Sequence, residues 1–252
     1  MIVFILKTRT ISKYFNGVRA VDNLSVGFRA GKITGLIGPN GSGKSTLINI
    51  LSGMVAFDNG LIIINDTKKL SKIRPYQIIN LGITRTFQEV RLFEQMSVLD
   101  NILVVVTKRT VSGAFFEKHN KSYVHRAEEI LKKVGLLEKK DEMAKNLSYG
   151  QRKLLEIARV LAMSSDKSID SKVLLFDEPF AGLFPEMQKI VSKILGDLRQ
   201  EGRAIILIEH NMNIIGELCD HVFVLDSGKL LAEGSPSYVF AQKAVLEVYF
   251  GA

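Results

Sequence analysis

The loop GPNGSGKS at residues 38–45 constrains the fold of this chain more than any other part of its sequence. It matches the phosphate-binding pattern G-x-x-x-x-G-K-[ST] in full, between a strand-like run, KITGLI, and a helix-like run, STLINILSG. Glycines allow a backbone to turn its N–H groups towards phosphate oxygens, and a following helix adds partial positive charge. A glycine turn that only caps a helix is the alternative. The match of both pattern and context favours a phosphate-binding loop.

Composition places the chain among ordinary globular proteins, since 46% of its 252 residues are apolar and 24% are charged. Its single cysteine, Cys219, excludes an internal disulfide and fits a reducing compartment. The net charge of +8 comes from dispersed Lys and Arg residues, so it does not choose between nucleic acid, an anionic membrane and an anionic ligand. No segment approaches the roughly 18 apolar residues that span a bilayer. If the protein works at a membrane, another chain supplies the span.

Short apolar runs without polar alternation indicate parallel strands that are buried on both faces. These runs are KITGLI (32–37), KVLLF (172–176), AIILI (204–208) and HVFVLD (221–226). The N-terminal region reads as short strands, and the pattern turns helical from residue 97 to about residue 163. The predicted fold class is α/β. Residues 1–88 and 166–252 form a core with an antiparallel β portion, and residues 89–165 form an inserted helical subdomain.

Polar residues follow three of the strand candidates, at the sheet edge where α/β proteins bind ligands. Asp177 and Glu178 end the run VLLFDE, where Asp177 is suited to hold Mg²⁺ and Glu178 to orient the attacking water or accept its proton. Gln88 is in position to reach the metal or the water, and His210 to reach a γ-phosphate. A lone Gln or His at a strand end is more often an ordinary hydrogen-bonded group.

The stretch LSYGQ at residues 147–151, here called the signature turn, opens a second helix. Ser148 is a suitable N-cap, and Gln151 completes a capping box three residues later. Gly150 permits a close approach. A well-capped helix start therefore explains this stretch locally, and its residues alone do not show that it binds phosphate.

Taken in order, the phosphate loop, Gln88, the signature turn, LLFDEP and His210 resemble the ATP-binding cassette (ABC) family over essentially the whole chain. The resemblance implies a P-loop NTPase core with an antiparallel β subdomain and an inserted helical subdomain, which hydrolyses ATP with Mg²⁺. Phe15 matches the aromatic residue that stacks on adenine, although alone it reads as an apolar strand end, and Val21 joins the expected ATP-binding residues. Those in the P-loop are Gly38, Pro39, Asn40, Gly41, Ser42, Gly43, Lys44, Ser45 and Thr46. The implied Mg²⁺ ligands are Ser45, Gln88 and Asp177.

The resemblance also implies a head-to-tail dimer, in which each ATP lies between the P-loop of one subunit and the signature turn of the other. Ser148, Tyr149, Gly150 and Gln151 would then contact the partner's ATP. The second subunit is either a copy of this chain or a paralogue. This arrangement would explain why one domain carries two stretches of phosphate-binding type.

A narrower likeness rests on RTFQ…RLF, LEIARVLA, EPFAGL, LIEHNM and VYFG. These stretches look like the ATPase subunits of branched-chain amino acid importers, with urea importers and the lipopolysaccharide-export ATPase as near relatives. The implied partners are transmembrane permease subunits, received in a groove after Gln88, and indirectly a substrate-binding protein. The implied location is the cytoplasmic face of the plasma membrane.

Two other functions stay open at this stage. A soluble ABC ATPase that acts on nucleic acid or ribosomes fits the basic charge, but such proteins carry two cassettes or a long coiled coil, and nucleic acid is not expected here. A nucleotide-dependent switch with weak hydrolysis is suggested only by Phe184, which stands where the family usually has Asp or Asn. Two further departures are Tyr149, in place of the commoner glycine, and the long polar stretch at residues 163–172.

Overall fold

The computed structural model describes residues 4–86, 91–106, 121–164 and 172–250. The chain divides into two compact units. The first unit contains residues 1–85, 171–178 and 195–252, and the second contains residues 86–170 and 179–194. None of the helices in the described ranges is long and apolar enough to cross a bilayer.

The described residues form 11 strands and eight α-helices. The strands are β1 (Phe4–Phe15), β2 (Val18–Leu24), β3 (Gly27–Arg29), β4 (Lys32–Ile37), β5 (Asn59–Ile64), β6 (Lys68–Leu70), β7 (Ile83–Arg85), β8 (Val173–Asp177), β9 (Ala204–Ile208), β10 (His221–Asp226) and β11 (Lys229–Gly234). The helices are α1 (Lys44–Leu51), α2 (Val98–Val106), α3 (Lys121–Lys133), α4 (Tyr149–Ser164), α5 (Pro185–Gln200), α6 (Met212–Leu218), α7 (Pro236–Phe240) and α8 (Lys243–Phe250).

The larger sheet of the first unit has six strands in the order β11-β10-β4-β9-β8-β7. All neighbours in it are parallel except β10 and β11. Every residue of β8 and β9 is buried, which is why these strands read as unbroken apolar runs. The predicted parallel core is therefore confirmed.

The smaller sheet of the first unit is antiparallel, in the order β2-β1-β5-β6 with β3 also paired to β1. The sequence predicts only short strands at the N-terminus, but the structure has a first strand, β1, of 12 residues. Different parts of β1 pair with different strands: its first part with β3, its middle with β5 and its end with β2. A single-sequence pattern does not reveal that one strand serves three neighbours.

The two sheets share one apolar core within the first unit. Phe28 of β3 meets Phe223 of β10 edge to face, with ring centroids 5.7 Å apart. Leu36 and Ile206 of the parallel sheet belong to the same cluster of buried side chains as Phe28. Cys219 is also buried, and burial raises the pKa of its thiol to about 12, as expected of a packing residue that is not reactive.

The second unit is built from α2, α3 and α4, which pack against one another. It contains the predicted helical subdomain and also residues 179–194, which the sequence places in the core. The additional segment packs here because Met187 lies against Gly150 and Ile190 lies against Gly135. Residues 165–171 of the long polar stretch at 163–172 lie outside the described residues.

Candidate functional site

The P-loop, residues 38–46, follows β4 and is held by contacts that only glycine permits. Gly38 has a φ of 149°, and a Cβ atom there would lie 2.1 Å from the carbonyl oxygen of Leu225. Gly43 has a φ of 101°, and its Cβ would lie 2.4 Å from the carbonyl oxygen of Ala20. A side chain at either position would push the loop away from β10 or β2. The loop conformation is therefore determined by backbone-to-backbone packing.

The amine of Lys44 lies over the same loop. Its Nζ atom donates hydrogen bonds to the carbonyl oxygens of Gly38 and Pro39, both at 2.8 Å, and to Ser42 Oγ at 3.4 Å. Burial lowers the pKa of Lys44, while the negative charges of Glu178 and Asp177 act in the opposite direction. The Lys44 ammonium therefore interacts electrostatically with Glu178 and Asp177, the two carboxylates that the sequence predicts for the site.

The N-terminus of α1 opens directly from this loop. Gly43 occupies the N-cap position, no side chain of the described residues caps the helix, and its first turn holds no acidic residue. Backbone N–H groups in the first turn of a helix have no partner inside the helix, and they favour an anion. Ser45 is exposed in this turn, so its hydroxyl is accessible. These features suit the binding of phosphate groups.

Asp177 is the last residue of β8 and is buried beside Arg85 of β7. Arg85 Nη2 donates to Asp177 Oδ2 at 3.0 Å, and the two side chains are only 9% and 5% exposed. Arg85 Nη1 also donates to Asn49 Oδ1 at 2.6 Å and Ser52 Oγ at 2.9 Å, both near the end of α1. Arg85 therefore joins the carboxylate strand to the P-loop helix.

Sequence reasoning missed Arg85. The signal that was available is a charged residue in the short run GITRTF, which forms a strand of the parallel sheet. A charge in such a place requires a partner.

Glu178 follows Asp177 and has a backbone conformation that is unusual for a residue with a side chain. Its φ is 49°, in the left-handed region, and its N–H donates to the carbonyl oxygen of Ile208 at 3.0 Å. Its Oε1 atom lies 3.0 Å from Nε2 of His210. The structure thus brings together Glu178 and His210, which are 32 positions apart in the chain.

The remaining residues predicted near the P-loop have different surroundings. Phe15 is exposed at the end of β1, with the Lys13 ammonium 5.1 Å from its ring centre. Val21 is fully buried in β2, so its side chain lines no open surface. Gln88 lies outside the described residues, and its proposed contact with the metal or water stays a prediction.

The signature turn is described within the second unit. Ser148 N donates to Gln151 Oε1 at 3.0 Å, and Gln151 N donates to Ser148 Oγ at 3.3 Å, so the predicted capping box is confirmed. Gly150 is buried, and a Cβ there would lie 2.7 Å from Met187 Sδ. Ser148 and Tyr149 are exposed at the start of α4.

Comparison with known proteins gives similarity over nearly the whole chain. The family model described as ABC transporter matches residues 21–181. A probable branched-chain amino acid transport ATP-binding protein LivG of Archaeoglobus fulgidus is 36% identical, with 98% of this chain and 96% of that protein covered. The high-affinity branched-chain amino acid transport ATP-binding protein LivG of Salmonella typhimurium is 35% identical, with 94% of each covered.

Solved structures give the same result at the level of the fold. A nucleotide-free ATP-binding cassette from an ABC transporter matches with a TM-score of 0.84 at 32% identity, covering 99% of this chain and 100% of the other. An ATP-binding cassette of an ABC transporter in its ADP conformation matches with a TM-score of 0.83 at 33% identity, covering 99% of both chains.

The buried pair of Arg85 and Asp177 generates a prediction about stability. Arg85→Met is expected to lower the free energy of unfolding by about 3–5 kcal/mol, because it leaves the Asp177 carboxylate buried without its guanidinium partner. Urea unfolding followed by circular dichroism measures this. The combined variant R85M/D177N should recover part of the loss, whereas Lys243→Met, which removes an exposed pair with Glu247, should cost less than about 1 kcal/mol. A loss for R85M as small as that control would contradict the prediction.

Proposed function

The chain belongs to the ABC transporter family, and on that premise we propose that it is the ATP-hydrolysing subunit of an importer for branched-chain or other apolar amino acids. The observation that carries the hydrolytic part of the proposal is the 3.0 Å contact between Glu178 and His210 in the same unit as the Lys44 loop. This contact joins a carboxylate and an imidazole at the carboxyl ends of two neighbouring parallel strands, β8 and β9. The cargo is proposed from the names of the relatives, because no residue described above selects a transported solute.

ATP binding is proposed at the P-loop. The backbone N–H groups at the start of α1 would face the phosphates, and the Lys44 amine would exchange its bonds to loop carbonyls for the outer phosphate oxygens. The close contacts of Gly38 with β10 and of Gly43 with β2 hold the loop in the shape that the phosphates would meet. Phe15, exposed at the end of β1, is proposed to stack on the adenine.

Ser45, Asp177 and Gln88 are the residues proposed to hold Mg²⁺, each through a side-chain oxygen. These donors are oxygens, which this ion prefers, and Mg²⁺ usually takes only one or two carboxylates besides phosphates and water. When bound, the ion would neutralise negative charge on the transferred phosphate.

Hydrolysis is proposed to depend on Glu178 and His210. The Glu178 carboxylate would orient the attacking water and accept its proton, while a P–O bond forms to the water oxygen and the bond between the γ-phosphate and ADP breaks. His210 would hold the Glu178 side chain and approach the γ-phosphate. The left-handed backbone of Glu178 is consistent with strain kept at a functional site.

The signature turn is proposed to complete the ATP site of a second subunit. Ser148 is exposed beside the N-terminus of α4, where the helix favours an anion. Tyr149, Gly150 and Gln151 belong to the same turn. Two subunits would therefore enclose two ATP molecules head to tail, and the second subunit would be a copy of this chain or a paralogue.

The permease is proposed to dock on an exposed apolar patch of the second unit, formed by Phe93, Met96 and Met143. The patch is held together by backbone bonds, because Met96 N donates to the Phe93 carbonyl at 3.0 Å and Met96 O accepts from Ala144 N at 2.9 Å. The Arg159 guanidinium lies 5.1 Å from the centre of the Phe93 ring. Flexible methionines and an exposed ring suit a helix that a permease presents at the cytoplasmic face of a membrane.

Replacement of Glu178 tests the proposed chemistry. Glu178→Gln is expected to keep ATP binding, to lower turnover at least about 100-fold and to accumulate an ATP-bound dimer, because an amide cannot accept the water's proton. Phosphate release and light scattering measure the two effects. The exposed helical residue Glu217 supplies the matched control, Glu217→Gln, whose turnover should equal that of the unaltered chain. Normal turnover in E178Q would remove Glu178 from this role.

Replacement of Ser148 tests the site in trans. Ser148→Arg is expected to weaken ATP-driven dimerisation about tenfold or more, because a long side chain cannot fit where another subunit's phosphate packs. ATP binding by the isolated subunit should be nearly intact, as measured by fluorescence titration of a nucleotide analogue. Ser71→Arg, at an exposed bend of the first unit, is the control. If S148R abolished nucleotide binding by the monomer, the site in trans would be wrong.

Isolation from native membranes tests the importer assignment and its cargo. The tagged chain is expected to copurify with a transmembrane permease, and cells without the chain should lose uptake of labelled leucine. Uptake of labelled urea and of an unrelated sugar should be unchanged in those cells. Loss of urea uptake alone would reassign the cargo. Recovery with ribosomes or DNA and without a permease would overturn the importer proposal.

A further inference from the structure

Tyr149, at the first position of α4, lies against the backbone of Gly182. A Cβ atom at Gly182 would be only 2.7 Å from Cε1 and 3.1 Å from Cδ1 of the Tyr149 ring. Gly182 has a φ of 70°, in the left-handed region that glycine adopts without strain. The edge of the ring therefore occupies the space that a side chain at position 182 would need, although Tyr149 as a whole is 55% exposed.

The next residue of α4 makes a second contact with the same segment. A Cβ atom at Gly150 would lie 2.7 Å from Met187 Sδ and 3.4 Å from Leu183 Cδ2. Tyr149 thus packs against Gly182, and Gly150 packs against Met187 and Leu183. Each of these two contacts has a glycine as one partner. Such reciprocal packing leaves little freedom for either backbone to move alone.

The segment that receives these contacts is itself an ordered turn. Leu183 N donates to the Phe180 carbonyl at 3.2 Å, Gln188 N donates to the Phe184 carbonyl at 3.0 Å, and Gln188 Nε2 donates to the Leu183 carbonyl at 3.0 Å. Phe184 stands at its outer side and is 71% exposed. Residues 180–188, here called the Phe184 turn, therefore hold an exposed aromatic ring on a hydrogen-bonded scaffold.

We propose that Tyr149 is a positioning residue that fixes the Phe184 turn to the signature turn, so that one rigid surface meets the second subunit. The proposal rests on the proposed function, because only a dimer gives that surface a partner. Preorganisation of a binding surface increases affinity by lowering the ordering cost of association. An aromatic ring is suited to this because it supplies a large contact with few rotatable bonds. In this arrangement Tyr149 holds the Phe184 turn in place, and Phe184 offers an apolar side chain to the second subunit.

Hydrogen exchange of the nucleotide-free monomer tests the contact itself. Tyr149→Ala is expected to speed exchange of the Leu183 and Gln188 amides about two- to tenfold, because the ring no longer restrains the turn that protects them. Tyr149→Phe retains the ring and should stay within about twofold of the unaltered chain. Tyr76→Ala, which removes an exposed tyrosine from the first unit, is the control. Unchanged exchange in Y149A, with the fold intact by circular dichroism, would overturn the proposal.

A double-mutant cycle tests whether the contact acts in dimerisation. It compares Y149A, G182A and Y149A/G182A in the E178Q background, with ATP-driven dimerisation as the readout. Alanine at position 182 is strained by the left-handed φ whether residue 149 is Tyr or Ala, so this cost cancels in the comparison. Its clash with the aromatic ring exists only when residue 149 is Tyr. G182A should therefore weaken dimerisation about tenfold more in the chain that keeps Tyr149 than in the Y149A chain, since the ring contact alone sets this difference.

The two measurements separate two kinds of failure. Strictly additive effects of the two substitutions on dimerisation would overturn the role of the contact. If E178Q forms no dimer with ATP at all, the proposed function fails. The exchange measurement still decides whether Tyr149 restrains the Phe184 turn, because it needs neither nucleotide nor a second subunit.

Discussion

The close approach of the P-loop to two neighbouring backbones is the contact on which the site depends. Gly38 lies against the carbonyl of Leu225 in the parallel sheet, and Gly43 lies against the carbonyl of Ala20 in the antiparallel sheet. The Gly228 N–H also donates to the Ser42 carbonyl at 3.1 Å. The loop is therefore wedged between both sheets of the first unit. Its shape is therefore set by contacts with both sheets.

Charge placement around this loop follows from the same packing. Lys44 is held over the loop, and the negative charges of Glu178 and Asp177 oppose the lowering of its pKa by burial. Arg85 compensates the buried charge of Asp177 and connects it to the residues that end α1. A buried carboxylate without such a partner would be costly. Stability and proposed catalysis thus share the same residues.

The chain passes from one unit to the other directly after Glu178. Residues 171–178 belong to the unit of the P-loop, and residues 179–194 belong to the unit of the signature turn. The contacts of Tyr149 and Gly150 with residues 182–187 explain why this segment packs with the second unit. Tyr149 is thus packed against the backbone of Gly182 within the second unit.

Three features are readable from the sequence alone: the P-loop, the strands of the parallel core and the capping box at Ser148. These features depend on local pattern, because glycine spacing, unbroken apolar runs and a capping residue act within a few neighbours. The long β1 strand with three partners and the transfer of residues 179–194 to the second unit were not readable in this way.

The contacts between distant side chains become visible only in the folded chain. Arg85 with Asp177, Glu178 with His210, and Tyr149 with Gly182 are pairs separated by at least 32 positions in the chain. Motif order named four of these six residues as a set, but gave neither the contacts nor their geometry. Such contacts depend on the path of the chain in three dimensions, which cannot be predicted from the periodicity of the sequence.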